Sequence, residues 1–198
     1  MDLALLYQEI DLRVKAVDFS ALWNGFHPFH FALYDAERCF LNGRYMEKPD
    51  AFCANTALQW NGEFIAVWNA AEAPHDLDML AAAIIHEMFH AFQMVSKERR
   101  FPNEQEALLR YRYSAGNLSA KRAEAYLLKA IVETGGSDAY ARLLSLRKKR
   151  AEDHPYEYAY EAKIEQSEGT AKFVELSVLT QLDVGKGCSA WQSLLARI

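Results

Sequence analysis

The chain has 198 residues, 51% hydrophobic and 25% charged, with a formal net charge of -5. That balance is too apolar for a disordered chain and too weakly charged for a nucleic-acid footprint. It suits one soluble domain of ordinary size. No run reaches the roughly 18 apolar residues that span a bilayer, and Asp2, Glu9 and Asp11 interrupt the first seventeen residues, unlike a signal peptide. The cytoplasm is the expected compartment, with neither membrane nor nucleic acid as a partner. Cys39, Cys53 and Cys188 are odd in number and widely spaced, so reduced thiols are expected.

Leu3, Leu6, Ile10, Val14 and Val17 recur at three- and four-residue steps and predict an amphipathic helix. The pattern then changes. Asn42-Gly43 and Asn61-Gly62 are hairpin centres, because both residue types tolerate positive φ. Strands are predicted near Phe29 to Tyr34, Cys39 to Leu41, Arg44 to Met46, Ala57 to Trp60 and Glu63 to Trp68, forming a small antiparallel sheet. From Pro74 onward helix follows helix. Asp76 or Asp78 caps one running to about Ser96, and Asn103 with Glu106 has capping-box spacing for one through Tyr113. Ser119 opens another that stops at Gly135-Gly136, and Ser137 opens the next. Arg147-Lys148-Lys149-Arg150 reads as a solvated helix terminus. Pro155 starts a long helix to about Leu182, Gly185 and Gly187 follow its end, and Ser189 to Arg197 closes the chain. The expected fold is α+β in a single domain over 1–198. Residues 1–72 supply a helix and the antiparallel sheet, and 73–198 a helical portion bearing the chemistry.

That chemistry centres on His86-Glu87-Met88-Phe89-His90. Residues four apart on a helix lie one above the other, so both imidazoles can reach one ion. Glu87 lies about 100° round the helix from His86, close enough to meet a metal-bound water. Zinc lowers the pKa of such a water toward about 7, and a carboxylate can then take its proton. The flanking residues, Met79 to Ile85 and Ala91 to Val95, are apolar apart from Gln93. A helix apolar almost all round belongs in a core, where buried imidazoles and a carboxylate need partners. Two core histidines with Glu87 in a salt bridge form the plainer alternative.

Zinc needs a third protein ligand. Glu161, Glu168 and Glu175 are seven apart on the long helix, and Gly169-Thr170-Ala171 would let Glu168 approach closely. Glu168 is favoured, with Glu165 or Glu161 as substitutes; Glu157 and Glu175 fit an exposed acidic stripe. His86 to His90 followed by Glu168-Gly169-Thr170-Ala171 resembles the gluzincin metallopeptidases, in which a later helix adds a glutamate, often in Glu-Gly-x-Ala. The resemblance covers about Glu63 to Gln93 and Glu161 to Glu175. It implies a zincin-like fold, His86, His90 and Glu168 as zinc ligands, Glu87 as general base, and an edge strand at Glu63 to Asn69 that pairs with a peptide or protein substrate. The chain has neither the Asn-Glu-x-x-x-Asp signature of the thermolysin type nor the third histidine of metzincins. Tyr156, Tyr158 and Tyr160 lie just ahead of Glu168, and Tyr158 is the candidate second donor to an oxyanion, although aromatic packing is the ordinary role of each. Gln93, one turn past His90, is placed to hydrogen-bond a ligand. Two rival readings are a zinc-binding domain without catalysis, structural or sensing, and a helical interaction module carrying the motif by chance.

Overall fold

In the computed structural model, which describes residues 2–98 and 100–197, hydrophobic periodicity becomes α1, Leu3–Ala16, and a short α2, Phe19–Leu22. Asp2 and Asp18 cap them, each carboxylate accepting two of the free amide hydrogens of the first turn. Five strands follow: β1 Phe31–Tyr34, β2 Arg38–Leu41, β3 Arg44–Glu47, β4 Thr56–Trp60 and β5 Glu63–Asn69. Both Asn-Gly pairs are tight turns with positive φ at every central residue, 50° and 79° at Asn42-Gly43 and 50° and 89° at Asn61-Gly62. A short 3-10 turn, Ala70–Glu72, leads to α3, Leu77–Val95, whose cap is Asp76. Helices α4 Glu104–Arg110, α5 Ala115–Thr134, α6 Ser137–Asp153, α7 Pro155–Leu182 and α8 Val184–Arg197 complete the chain. The protein is α+β and 65% helical, and among the described residues no helix is long and apolar enough to cross a membrane.

The sheet is mixed, not antiparallel. Its order is β3-β2-β1-β5-β4, and β1 runs parallel to β5 with Phe31 opposite Ala66 and Tyr34 opposite Asn69. The hairpin signals concern only neighbours in sequence, β2 with β3 and β4 with β5. The β1–β5 pairing is made across the intervening chain, where no turn chemistry records it. A second correction follows: β5 lies between β1 and β4, so among the described residues the edge strand in contact with α3 is β4.

Other boundaries shift for local reasons. α5 begins at Ala115, not Ser119, because the Ser114 hydroxyl accepts from the Asn117 amide. Gly185 and Gly187 lie inside α8; a Cβ on Gly187 would fall 2.5 Å from the Thr180 Cα, so only glycine permits that approach.

Where the sequence is read as one domain, the chain divides into two compact units, Met1–Arg99 with Ser167–Ala190, and Arg100–Gln166 with Trp191–Ile198. In the first, the stripe Leu3, Leu6, Ile10, Val14 packs with Ile84, Ile85, Met88 and Phe89 of α3 and with Ala171, Val174 and Val178 of α7. Phe31, Leu33 and Phe40 close this core from one sheet face, while Ala32, Tyr34, Cys39 and Ile65 point to the other and enclose Phe52. Both faces of β1 are therefore buried, and alternation along it is lost.

The second unit is helical, and its centre is ionic. Arg150, 2% exposed, reaches Glu124 at 3.2 Å, Glu161 at 2.6 Å and the Asn117 amide oxygen at 2.8 Å. Arg147 pairs with Glu165 at 3.0 Å. The basic run is thus solvated only at Lys148 and Lys149, while Arg147 and Arg150 both turn to the buried carboxylate of Glu124. Partners of this kind are what allow a charge to be buried.

Candidate metal centre

α3 brings the motif into the first unit. Its apolar sides pack into the core, leaving His86 and His90 on one face, one turn apart, with side chains 14% and 11% exposed. The later part of α7 presents Glu168 to the same place. His86 Nε2 and His90 Nε2 are 3.2 Å apart, and Glu168 Oε2 lies 3.5 Å from the first and 3.4 Å from the second. The three donors form a nearly equilateral triangle. A tetrahedral zinc with bonds of about 2.0–2.1 Å has ligand–ligand edges of about 3.3 Å, so the donor set fits that ion in type and spacing. Glu168 is half-exposed, which leaves the cluster open to solvent on its side.

Hydrogen bonds decide which nitrogen of each ring faces the centre. His86 Nδ1 is 3.0 Å from Glu175 Oε2, and an ionised carboxylate can only accept, so Nδ1 carries the proton and Nε2 a lone pair. His90 Nδ1 is 2.9 Å from Gln93 Oε1. The amide of Gln93 is itself fixed, because its nitrogen donates to the Ser167 carbonyl at 3.2 Å and the Thr170 hydroxyl at 3.0 Å. His90 Nε2 therefore also offers a lone pair. With both rings neutral, two lone pairs meet a carboxylate oxygen, an arrangement that either a proton on His86 or a divalent cation at their meeting point satisfies.

Titration follows the same layout. Burial pulls the pKa of both histidines down. At His86 the bond to Glu175 and the charges of Glu87, Glu175 and Glu168 outweigh burial and raise it; at His90 burial prevails and the value stays low. Glu87 is pushed up to about 7, first by burial and then by Glu168 and Glu175, with His86 opposing. A carboxylate titrating near neutrality can take a proton and give it back.

Of the sequence candidates, the structure brings His86, His90 and Glu168 together, with Glu87 on the adjoining side of α3. The substitutes are engaged in the second unit: Glu161 bonds Arg150, Lys121 and Tyr111, and Glu165 pairs with Arg147. Tyr158 also belongs there, its ring 5.9 Å from the Arg150 guanidinium, in a packing role. The acidic-stripe reading fails at both residues assigned to it. Glu157 is 7% exposed and accepts from the Arg112 amide, and Glu175 anchors His86 while binding Lys172 Nζ at 2.5 Å. Gly169 has open space where a Cβ would stand, so the close approach of α7 rests on Ala171, fully buried, and not on glycine. Glu175 is the residue that sequence reasoning missed. Its seven-residue spacing from Glu168, two helical turns, puts it on the same face, but spacing alone reads equally well as an exposed stripe.

No protein-family model, curated protein or solved structure matches the chain.

Proposed function

We propose that the protein is a zinc-dependent hydrolase with a zincin-like fold, and specifically a metallopeptidase of the gluzincin type. The observation that carries this reading is the convergence of His86 Nε2, His90 Nε2 and Glu168 Oε2 at mutual distances of 3.2–3.5 Å, on two helices, beside a carboxylate with a pKa of about 7. Bound zinc would supply a Lewis acid for the substrate carbonyl and lower the pKa of its water toward about 7.

The chain's own groups do the rest. Glu175 and Gln93 hold the imidazoles so that only Nε2 faces the ion. Glu87 accepts the proton from the attacking water on its carboxylate and passes it to the leaving amine, so it begins and ends the cycle ionised. Burial, which raises its pKa to about 7, favours the uptake and still leaves the return accessible near neutral pH. Among the described residues no strand pairs with the outer edge of β4, a strand that also contacts α3. An extended peptide adding as a strand there would find unpaired backbone donors and acceptors.

The test is metal analysis and peptide hydrolysis on protein purified without added zinc. Wild type is expected to carry one zinc per chain and to cleave members of a peptide library in a chelator-sensitive way. Glu87→Gln should keep the zinc and lose at least about 100-fold in rate, and His90→Ala should lose both. Full activity in Glu87→Gln refutes the mechanism; zinc without turnover on any peptide leaves a non-catalytic metal site; absence of zinc removes the reading altogether.

A further inference from the structure

A cavity of about 650 Å³ lies in the first unit, and none of the residues of the His86–His90–Glu168 cluster lines it. Its volume is in the range of small-molecule sites, about 300–1,000 Å³. One wall is a stripe of α1, where Tyr7, Asp11 and Val14 follow at helical spacing. The rest of the lining is aromatic, with Phe29 just ahead of β1, Phe31 at its start and Phe64 near the start of β5. Tyr7 is fixed in place, its ring stacked on Phe31 at 4.2 Å and 13° and edge-on to Phe40 at 5.2 Å. Tyr7, Phe29 and Phe31 are thus held by the core, and rings fixed in advance bury an apolar ligand at little entropic cost.

The charges at this cavity are loosely held. Asp11 is bound by Lys15 at 2.5 Å, but the Lys15 side chain is 71% exposed. Such a pair is screened by water and readily exchanged. Glu63, set at the mouth by the Asn61-Gly62 turn, has no ion pair among the described residues. His30 completes the polar lining. Two carboxylates therefore flank the aromatic walls, and the only lysine among the lining groups is one that a competing cation can displace.

We infer that this cavity is a binding site for a small organic cation, an ammonium group joined to an aromatic or branched aliphatic body. The body fills the space between Tyr7, Phe29 and Phe64, and the ammonium takes the place of Lys15 at Asp11 within reach of the field of Glu63. Aromatic faces beside the head add a cation–π attraction. This assignment stands apart from the metal centre.

The experiment is calorimetric titration of the whole protein at pH 7 with three probes of one shape, phenethylamine, 2-phenylethanol and 3-phenylpropionate. Phenethylamine is expected to bind saturably, at least tenfold tighter than the alcohol or the acid. Asp11→Asn combined with Glu63→Gln should cost at least tenfold in phenethylamine affinity. Lys15→Met, which removes the competing cation, should tighten it severalfold, a gain that misfolding cannot produce. No saturable binding, equal or tighter binding of 3-phenylpropionate, or unchanged affinity in the doubly neutralised variant overturns the assignment; the last of these places the amine elsewhere, including at a bound metal.

Discussion

Replacing Glu175 by alanine tests the centre at the point where tertiary structure, not motif, carries the argument. Glu175 has two oxygens with two partners: His86 Nδ1–H at 3.0 Å and Lys172 Nζ at 2.5 Å. Burial alone would raise its pKa, but those two partners hold it below the usual carboxylate value, so it is ionised at neutral pH. In Glu175→Ala the Nδ1–H of a ring only 14% exposed loses its acceptor, and nothing then fixes the tautomer that turns a lone pair toward Glu168. Loss of a carboxylate behind a metal-binding histidine typically costs about 10–100-fold in metal affinity, or roughly 1.4–2.7 kcal/mol. Competition for zinc against a chromophoric chelator at fixed pH reads the change directly, with far-ultraviolet circular dichroism to check the fold. Glu175→Gln should do no better than alanine. Lys172 demands an acceptor, which turns the amide nitrogen toward His86 and favours the wrong tautomer. Zinc affinity within threefold of wild type in Glu175→Ala would show that Glu175 does not orient His86.

Three further outcomes follow from the same structure. Because the three donors sit on α3 and α7 within one unit, bound zinc ties these helices together; zinc at 100 times its Kd should stabilise the protein by about 2.7 kcal/mol, seen as a fall in Tm on chelation that Glu168→Ala abolishes. Phe89 is 1% exposed and rings with Trp23, Phe26 and Phe92 at 5.3, 5.1 and 5.6 Å. Phe89→Ala should cost about 3–5 kcal/mol in urea unfolding, and a loss under about 1 kcal/mol would contradict the packing. Burial works against ionised Glu161, yet Arg150, Tyr111 and Lys121 hold its pKa below 4.5. A depressed carboxylate contributes stability above its unfolded pKa and loses it as pH falls through the folded value. The difference in urea midpoint between wild type and Glu161→Gln should therefore be full at pH 6 and shrink steadily below about pH 4.5. A difference independent of pH refutes it.

The sequence was informative wherever the determinant is local. Apolar spacing and side-chain caps placed α1 and α3, Asn-Gly placed both hairpins, and a four-residue repeat put His86 and His90 on one face, because each depends on residues within a turn of one another. Choosing Glu168 over Glu161 or Glu165 rested on the small residues Gly169-Thr170-Ala171 beside it, since three glutamates on one helix otherwise look alike until their neighbours are known. Only the folded chain separated them, by giving Glu161 to Arg150 and Glu165 to Arg147 and leaving Glu168 at the histidines. The parallel β1–β5 pair, the burial of Arg150 and the bond from His86 to Glu175 were invisible for one common reason. Each joins residues far apart along the chain, and a charged side chain in one dimension reads as solvated until the fold supplies its partner. Local sequence determined which groups could do chemistry; long-range packing decided which of them meet.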